Sequence, residues 1–299
     1  MGPVNESPYR LAWRVTEPLH AMIYFVPEAP ERYAAFGIRP MDGYFASRGA
    51  AFGPVGPEIV AATFYNFNPA RVARALPAVW SKASPEQLLA ARLEAVDAAL
   101  TRGLGAEVVN GPEVAEAAVL ARRAAEKAVT LPHGRPLFAA HAALPWPDRP
   151  HLVLFHAQTL LREFRGDGHV AALLSNGISG LDAIVMHEAS GDSPAGFLRA
   201  SRGWSPEQWA EAEDDLRRSG LLDAGGKLTE AGVALRAHVE DRTDQVAEVA
   251  WRELGEDGCR RLAELTRPLS RAVVKGGLLN PMSSVTHSSR PKHLPEGDR

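Results

Sequence analysis

Apolar residues recur at three- and four-residue spacing, with charges between them, across 88–100, 113–129, 151–164 and 209–222. That period gives each segment one apolar face and commits the chain to packed helices. Long stretches of period-two alternation, the mark of half-buried strands, are missing from the sequence. Two tetrapeptides punctuate the pattern, Ser84-Pro85-Glu86-Gln87 and Ser205-Pro206-Glu207-Gln208. Each reads as a helix start, with a serine N-cap, proline at the first helical position and an acid facing the helix dipole. The chain has 299 residues, 45% of them hydrophobic and 23% charged, enough for one large domain or two smaller ones with a real core. No apolar run approaches the roughly 18 residues of a membrane span. The opening MGPVNESPYR lacks the basic and apolar regions of a secretory signal, so a cytoplasmic protein is expected. A single cysteine, Cys259, rules out an intrachain disulfide framework and a cysteine-built zinc site. From Gly276 onward the sequence is rich in Gly, Pro and Ser without periodicity, and 276–299 reads as a disordered tail.

The tetrapeptide recurs at an offset of 121 residues, and other landmarks recur in the same order. Leu19-His20-Ala21 matches Phe155-His156-Ala157, and each is followed by an apolar stretch and an acid, Glu28 or Glu163. Asp42-Gly43-Tyr44 matches Asp167-Gly168-His169, each read as opening a small-residue helix. Gly56-Pro57-Glu58 parallels Gly180-Leu181-Asp182, and the helices end at Gly103-Leu104 and Gly220-Leu221. The expectation is two degenerate copies of one helical unit, 1–140 and 141–275.

The second copy is the better preserved. Pro194 to Ala200, then Gly203-Trp204, lead into the second tetrapeptide helix, which ends Leu216-Arg217-Arg218-Ser219-Gly220-Leu221-Leu222. Asp223-Ala224-Gly225-Gly226-Lys227 makes a tight turn, and Leu228-Thr229-Glu230-Ala231-Gly232 starts a long helix. Over 182–254 this resembles the winged helix-turn-helix of MarR-type regulators. The resemblance implies a recognition helix, a hairpin wing and a dimerisation helix. The stretches LREFRGDGHVAAL, ATFYNFNP and AALPWP are also similar to those of an actinobacterial family of helix-turn-helix proteins, which implies regulation but no substrate. The expected fold is therefore mainly α: tandem winged-helix-like halves with short β wings, paired within one chain as a pseudo-dimer.

Electrostatics argue against a strong DNA reader. The net charge is −3. Between Ser205 and Ser219, Glu207, Glu211, Glu213, Asp214 and Asp215 outnumber Arg217 and Arg218, and the wing offers only Lys227. An element entering a polyanion needs the opposite balance. DNA is thus a partner implied by resemblance and opposed by charge. A small-molecule ligand is the other expected partner. If the halves satisfy each other's dimerisation helices, the chain is a monomer or pairs through another face.

Chemistry, if present, should lie between the halves. His20 and His156 would be equivalent residues on facing helices, and His156, Leu160 and Glu163 share a helix face. Together with His169 these could form a metal site, or a haem could take a histidine as axial ligand. An enzyme built on this scaffold would use His156, Glu163 or His169 as ligand, base or orienting acid. Arg165 and Asp167 serve either that site or a helix end and the cap of the next helix. Tyr24, Tyr44, Phe64 and Asn66 suit a small-molecule pocket or an aromatic core, with His141 on the connector closing one side. No P-loop, dinucleotide fingerprint or serine nucleophile motif is present.

Overall fold

A computed structural model describes residues 6–279. The helices are α1 (Pro8–Ala21), α2 (Glu28–Ala34), α3 (Pro40–Gly49), α4 (Pro57–Phe64), α5 (Pro69–Ala73), α6 (Pro85–Leu104), α7 (Ala106–Val109), α8 (Pro112–Val129), α9 (Pro136–Ala142), α10 (Pro150–Ser175), α11 (Gly180–Ala189), α12 (Phe197–Arg202), α13 (Pro206–Arg218), α14 (Glu230–Trp251) and α15 (Gly255–Lys275). Proline opens many of them, where its missing N–H has no helical partner to lose. Ser84 and Ser205 do cap α6 and α13, each in a reciprocal capping box with the glutamine three residues on. Among the described residues no single helix is long and apolar enough to cross a membrane.

The buried side chains form two cores. The larger gathers α1 to α10 with the end of α14 and with α15, from Ala12 through Phe164 and again from Ala250 to Leu279. The smaller holds Leu173, Ile178, Ile184, Met186, Leu198, Trp209, Leu216, Leu222 and Val239. Most of it comes from α11, α12 and α13. α10 and α14 pack on one another, and each contributes to both cores. α10 also packs on α8, α9, α1 and α6, and so occupies the centre of the molecule. The boundary read at 140/141 falls inside α9, and the cores divide the chain along this different line.

Three local expectations are corrected. The short β wings are not formed: among the described residues there is no strand, only one antiparallel bridge between Leu222 and Leu228. Asp223 accepts bonds from the amides of Gly225 and Lys227, closing the turn so early that a single pair fits before Thr229 caps α14. Asp167-Gly168-His169 does not open a helix but lies within the unbroken α10. Gly168 is there for close approach, since a Cβ would meet Arg135 Nη1 at 2.7 Å and Val246 at 2.8 Å. Finally, the start of the expected tail is partly packed. Leu278 and Leu279 are buried, Leu278 against Gly103 in the last turn of α6, which Gly105 caps. Residues 280–299 of that expectation lie outside the described residues.

A different internal correspondence emerges. α2 and α10 both end on a left-handed glycine, Gly37 (φ 68°) and Gly177 (φ 69°). In each, the glycine N–H and the following isoleucine N–H bond back to the helix in the same pattern, Ile38 to Tyr33 O and Ile178 to Leu173 O. A helix then starts with aspartate at its third position, Asp42 or Asp182. Asp42 and Asp182 thus occupy the same place in this local pattern.

At the start of α11, Gly180 lies so close to the Tyr65 carbonyl that a Cβ would overlap it, whereas at Gly166, inside α10, the nearest atom stands 3.6 Å away. Gly180→Ala is expected to destabilise the protein by about 1–3 kcal/mol, and Gly166→Ala to stabilise it by about 0.5–1 kcal/mol. Urea unfolding of the two variants measures both signs.

Candidate functional site

On the face of α10 turned toward the first half of the chain, Glu163 is 2% exposed. Arg48 of α3 grips it with two nitrogens, Nη2–Oε2 at 2.9 Å and Nε–Oε1 at 3.3 Å. Arg162 donates to Glu163 Oε1 at 3.3 Å and to Glu17 of α1 at 2.8 Å. Arg48 also donates to Tyr44 Oη at 3.3 Å. On the other side Arg92 of α6 donates to Tyr24 Oη at 3.3 Å and lies 3.5 Å from His20 Nε2. Rings fill the space between. His20 stacks on Phe155 at 5.0 Å, Tyr24 meets Tyr44 edge-on at 5.3 Å, and Arg48 lies 4.2 Å above Phe64.

Charge follows from this packing. Burial raises the pKa of Glu163, but Arg48 and Arg162 outweigh it and hold the carboxylate at about 2. His20 is driven well below its ordinary value by burial and then by Arg162, Arg92 and Arg48. Burial takes His141 down to about 3, with Arg92 among the neighbouring charges. Both imidazoles are neutral at pH 7, and His20 Nδ1 and His141 Nε2 are buried without a hydrogen-bond partner. Burial raises Tyr44, yet Arg48, Arg202 and Arg162 pull it below the usual phenol value. A carboxylate locked between two guanidinium groups has no proton to give, so Glu163 is built to hold charge rather than to act as an acid.

Of the residues singled out in the sequence, His20, Tyr24, Tyr44, Phe64, His141 and Glu163 meet in this centre. The others do not. Arg165 faces the opposite side of α10, over the Trp13 ring at 4.1 Å and bonded to Glu240 and Asp244. Asp167, read as the cap of a following helix, instead accepts from the Phe138 amide and caps α9, 29 residues away. His169 bonds Thr243 at 2.9 Å. His156 meets Trp146 edge-on at 4.8 Å, so the two histidines expected to face each other have different neighbours. The metal set of His20, His156, Glu163 and His169 is therefore not assembled. Among the described residues no three His, Cys, Asp or Glu side chains gather to hold an ion. Sequence reasoning missed Arg48, Arg92 and Arg162. Their signal was a charge on an apolar stripe, as with Arg92 in register with Leu88 and Val96.

A second feature joins this centre to the α11–α13 unit. Tyr65 closes α4 at φ 56°, a conformation rare outside glycine. Its hydroxyl donates to Ile178 O. Trp204 Nε1 donates to Asn66 O at 3.0 Å, and the Asn68 amide to Arg202 O at 3.0 Å. Asn68 Nδ2 donates to Gln208 at the start of α13 at 3.1 Å. Asn66, expected in the pocket, thus belongs to this junction. A large open groove of about 990 Å³ lies elsewhere, beside α14. It is lined by the mutually paired charges Arg10, Glu240, Asp244, Arg236 and Asp192, and it touches none of the buried centre.

The chain belongs to a helix-turn-helix family, whose profile matches residues 9–280, the body and the α11–α13 unit together. No curated protein and no solved structure matches the chain.

The charged lock and the buried histidines make stability depend on pH. His141 (about 3) and His156 (about 4) are neutral when folded and take up protons when unfolded, so stability falls as pH drops below 6.5. Glu163 and Glu240, both held near 2, add a further loss between about pH 4.5 and 2. Asp167, raised to about 6 by burial, opposes the trend, gaining stability as it protonates. Urea midpoints measured from pH 7.5 to 4 should fall, and Glu163→Gln should cost about 3–5 kcal/mol at pH 7 by leaving Arg48 and Arg162 uncompensated.

Proposed function

We propose that this protein is a ligand-responsive regulator. A small molecule binds at the buried arginine–tyrosine centre, and the α11–α13 unit carries the output to DNA. The observation that carries this reading is the junction at 65–71. Phe64 and Phe67 belong to the ring cluster of the centre, while Tyr65, Asn66 and Asn68, interleaved with them, hold the helix-turn-helix unit at Ile178, Arg202, Trp204 and Gln208. A ligand that shifts the rings shifts the clamp and with it the start of α13. Differential binding to the two positions is all that regulation requires.

The pseudo-dimer reading belongs to the same proposal. The matched endings of α2 and α10 support it, as does the packing of α1 on α15 and of α8 on α10, which crosses between the halves. On this reading the dimerisation surface of a MarR-type regulator is used up within one chain, and the protein is a monomer.

DNA contact by α13 is weak by design. Trp209, Ala212 and Leu216 face inward, and Arg217 pairs with Glu213 and Asp214 while Arg218 pairs with Asp215. Glu207 and Glu211 stay exposed. Fluorescence anisotropy on promoter and random duplexes should show binding at low salt that falls steeply as salt rises. Glu207→Gln/Glu211→Gln should tighten that binding severalfold. Absence of binding to every duplex at low salt, by both proteins, would remove the regulator reading.

A further inference from the structure

We infer that the phosphate grip of this protein lies outside the α11–α13 unit. Arg71 and Arg74, on and just after α5 in the first half of the chain, hold the backbone of duplex DNA beside the start of α13. The inference rests on the regulator reading and adds to it the surface on which the duplex lies. The winged-helix resemblance would instead put those cations on the recognition helix and the wing.

The argument begins with which cations are already paired. The arginines on the outer surface of the α11–α13 unit face carboxylates. Arg199 and Arg217 hold Glu213, Arg217 also takes Asp214, and Arg218 takes Asp215. On α14, Arg236 takes Asp192. An arginine so paired brings little net charge to a polyanion and displaces few of its counterions. Arg202, at the end of α12, has no carboxylate, but its guanidinium lies over the buried Phe67 ring at 4.6 Å. Glu207 and Glu211 remain exposed on α13, and the turn before α14 offers Lys227 alone. The unit by itself therefore meets a phosphate backbone with almost no free positive charge.

Arg71 and Arg74 differ. Neither has a carboxylate partner among the described residues. Arg74 is exposed, and its Nε reaches only the Ala70 carbonyl one turn back, at 3.4 Å. Arg71 is half-buried, with Nε shielded from solvent and without a partner. The fold sets both beside α13. Asn68 caps α5 and donates from Nδ2 to Gln208, in the first turn of α13, at 3.1 Å. The stem of Arg71 crosses Gly203, two residues before the Ser205 cap, so closely that a Cβ there would stand 2.6 Å from Arg71 Cδ. At about 1.5 Å per residue, Arg74 stands roughly 9 Å from Asn68, so the two arginines line a short ridge alongside the start of α13. Guanidinium forks match phosphate oxygens, and phosphate contacts fix where a duplex lies while base contacts tell which duplex it is. A duplex held this way lies across the seam between the body and the α11–α13 unit. Any shift at that seam changes the spacing between the forks and α13, which gives the proposed regulator a geometric route from the body to DNA.

The experiment is fluorescence anisotropy of the full chain on promoter and random duplexes over a salt series. Arg71→Gln and Arg74→Gln should each weaken both duplexes severalfold and equally, and each should lower the slope of log affinity against log salt by about one. Arg74→Lys keeps the charge and should keep the slope. Lys127→Gln, an exposed cation at the end of α8, should change neither affinity nor slope. Arg74 is exposed, so its variants should melt with the parent and decide the matter even if Arg71→Gln is less stable. An unchanged slope in Arg74→Gln, a loss confined to Lys227→Gln, or tighter binding of polyglutamate than of duplex each overturns the assignment. The first two results leave the regulator reading in place, because the parent still holds DNA. A parent that binds no duplex at low salt removes both.

Discussion

The carboxylate of Glu163 is buried where hydrocarbon surroundings alone would neutralise it, and it stays ionised because guanidinium groups converge on it from two sides. Arg48 comes from 115 residues away, and Arg162 passes the connection on to Glu17. One chain of charge-assisted bonds thereby ties α1, α3 and α10 together. Apolar contacts carry no direction, and helices packed through methyl groups alone can slide or roll at small cost. A two-point arginine–carboxylate contact fixes both distance and angle. The ring cluster, the neutral histidines and the junction at Tyr65 all take their positions from helices that this network holds in place.

What the sequence made legible was local. The two Ser-Pro-Glu-Gln starts announce themselves because capping chemistry is completed within four residues. The gathering of Tyr24, Tyr44 and Phe64 followed from their apolar bulk, and Glu163 from its place on the face of α10. Misreadings arose where a residue's reason lies far along the chain. Gly168 was read at the start of a helix, but it lies inside α10 with Arg135 and Val246 against it. Asp167 looked like the cap of the next helix and caps an earlier one. The apolar stripe around Arg48 did not reveal its partner, and Arg202 carried no local mark, since their surroundings are assembled from α3, α10, α12 and the α4–α5 loop. The matched glycine–isoleucine endings were visible as letters, yet their equivalence rests on hydrogen-bond geometry that letters do not encode.

The outward face of α13 is acidic for a reason that can be followed residue by residue. Its two arginines are spent on carboxylates of the same helix, and Glu213 also takes Arg199 and the Trp209 indole. These contacts steady the small core around Trp209, in a unit with little apolar area of its own. The residues that stabilise this helix are thus the ones that weaken its attraction to a polyanion.

α10 runs for 26 residues, about 39 Å of unbroken helix, and α14 for 22, about 33 Å. Both cross from the large core into the small one without a loop between. A pair of domains joined by a linker swings on a hinge. This molecule has two struts packed on one another in that place, and a helix resists bending because every turn is braced by its own hydrogen bonds. The low-resistance movements left to the α11–α13 unit are therefore a roll of the struts about their long axes or a small slide of one along the other. Such movements are limited at the Tyr65 junction, where bonds to Ile178, Arg202, Trp204 and Gln208 tie the unit to the body.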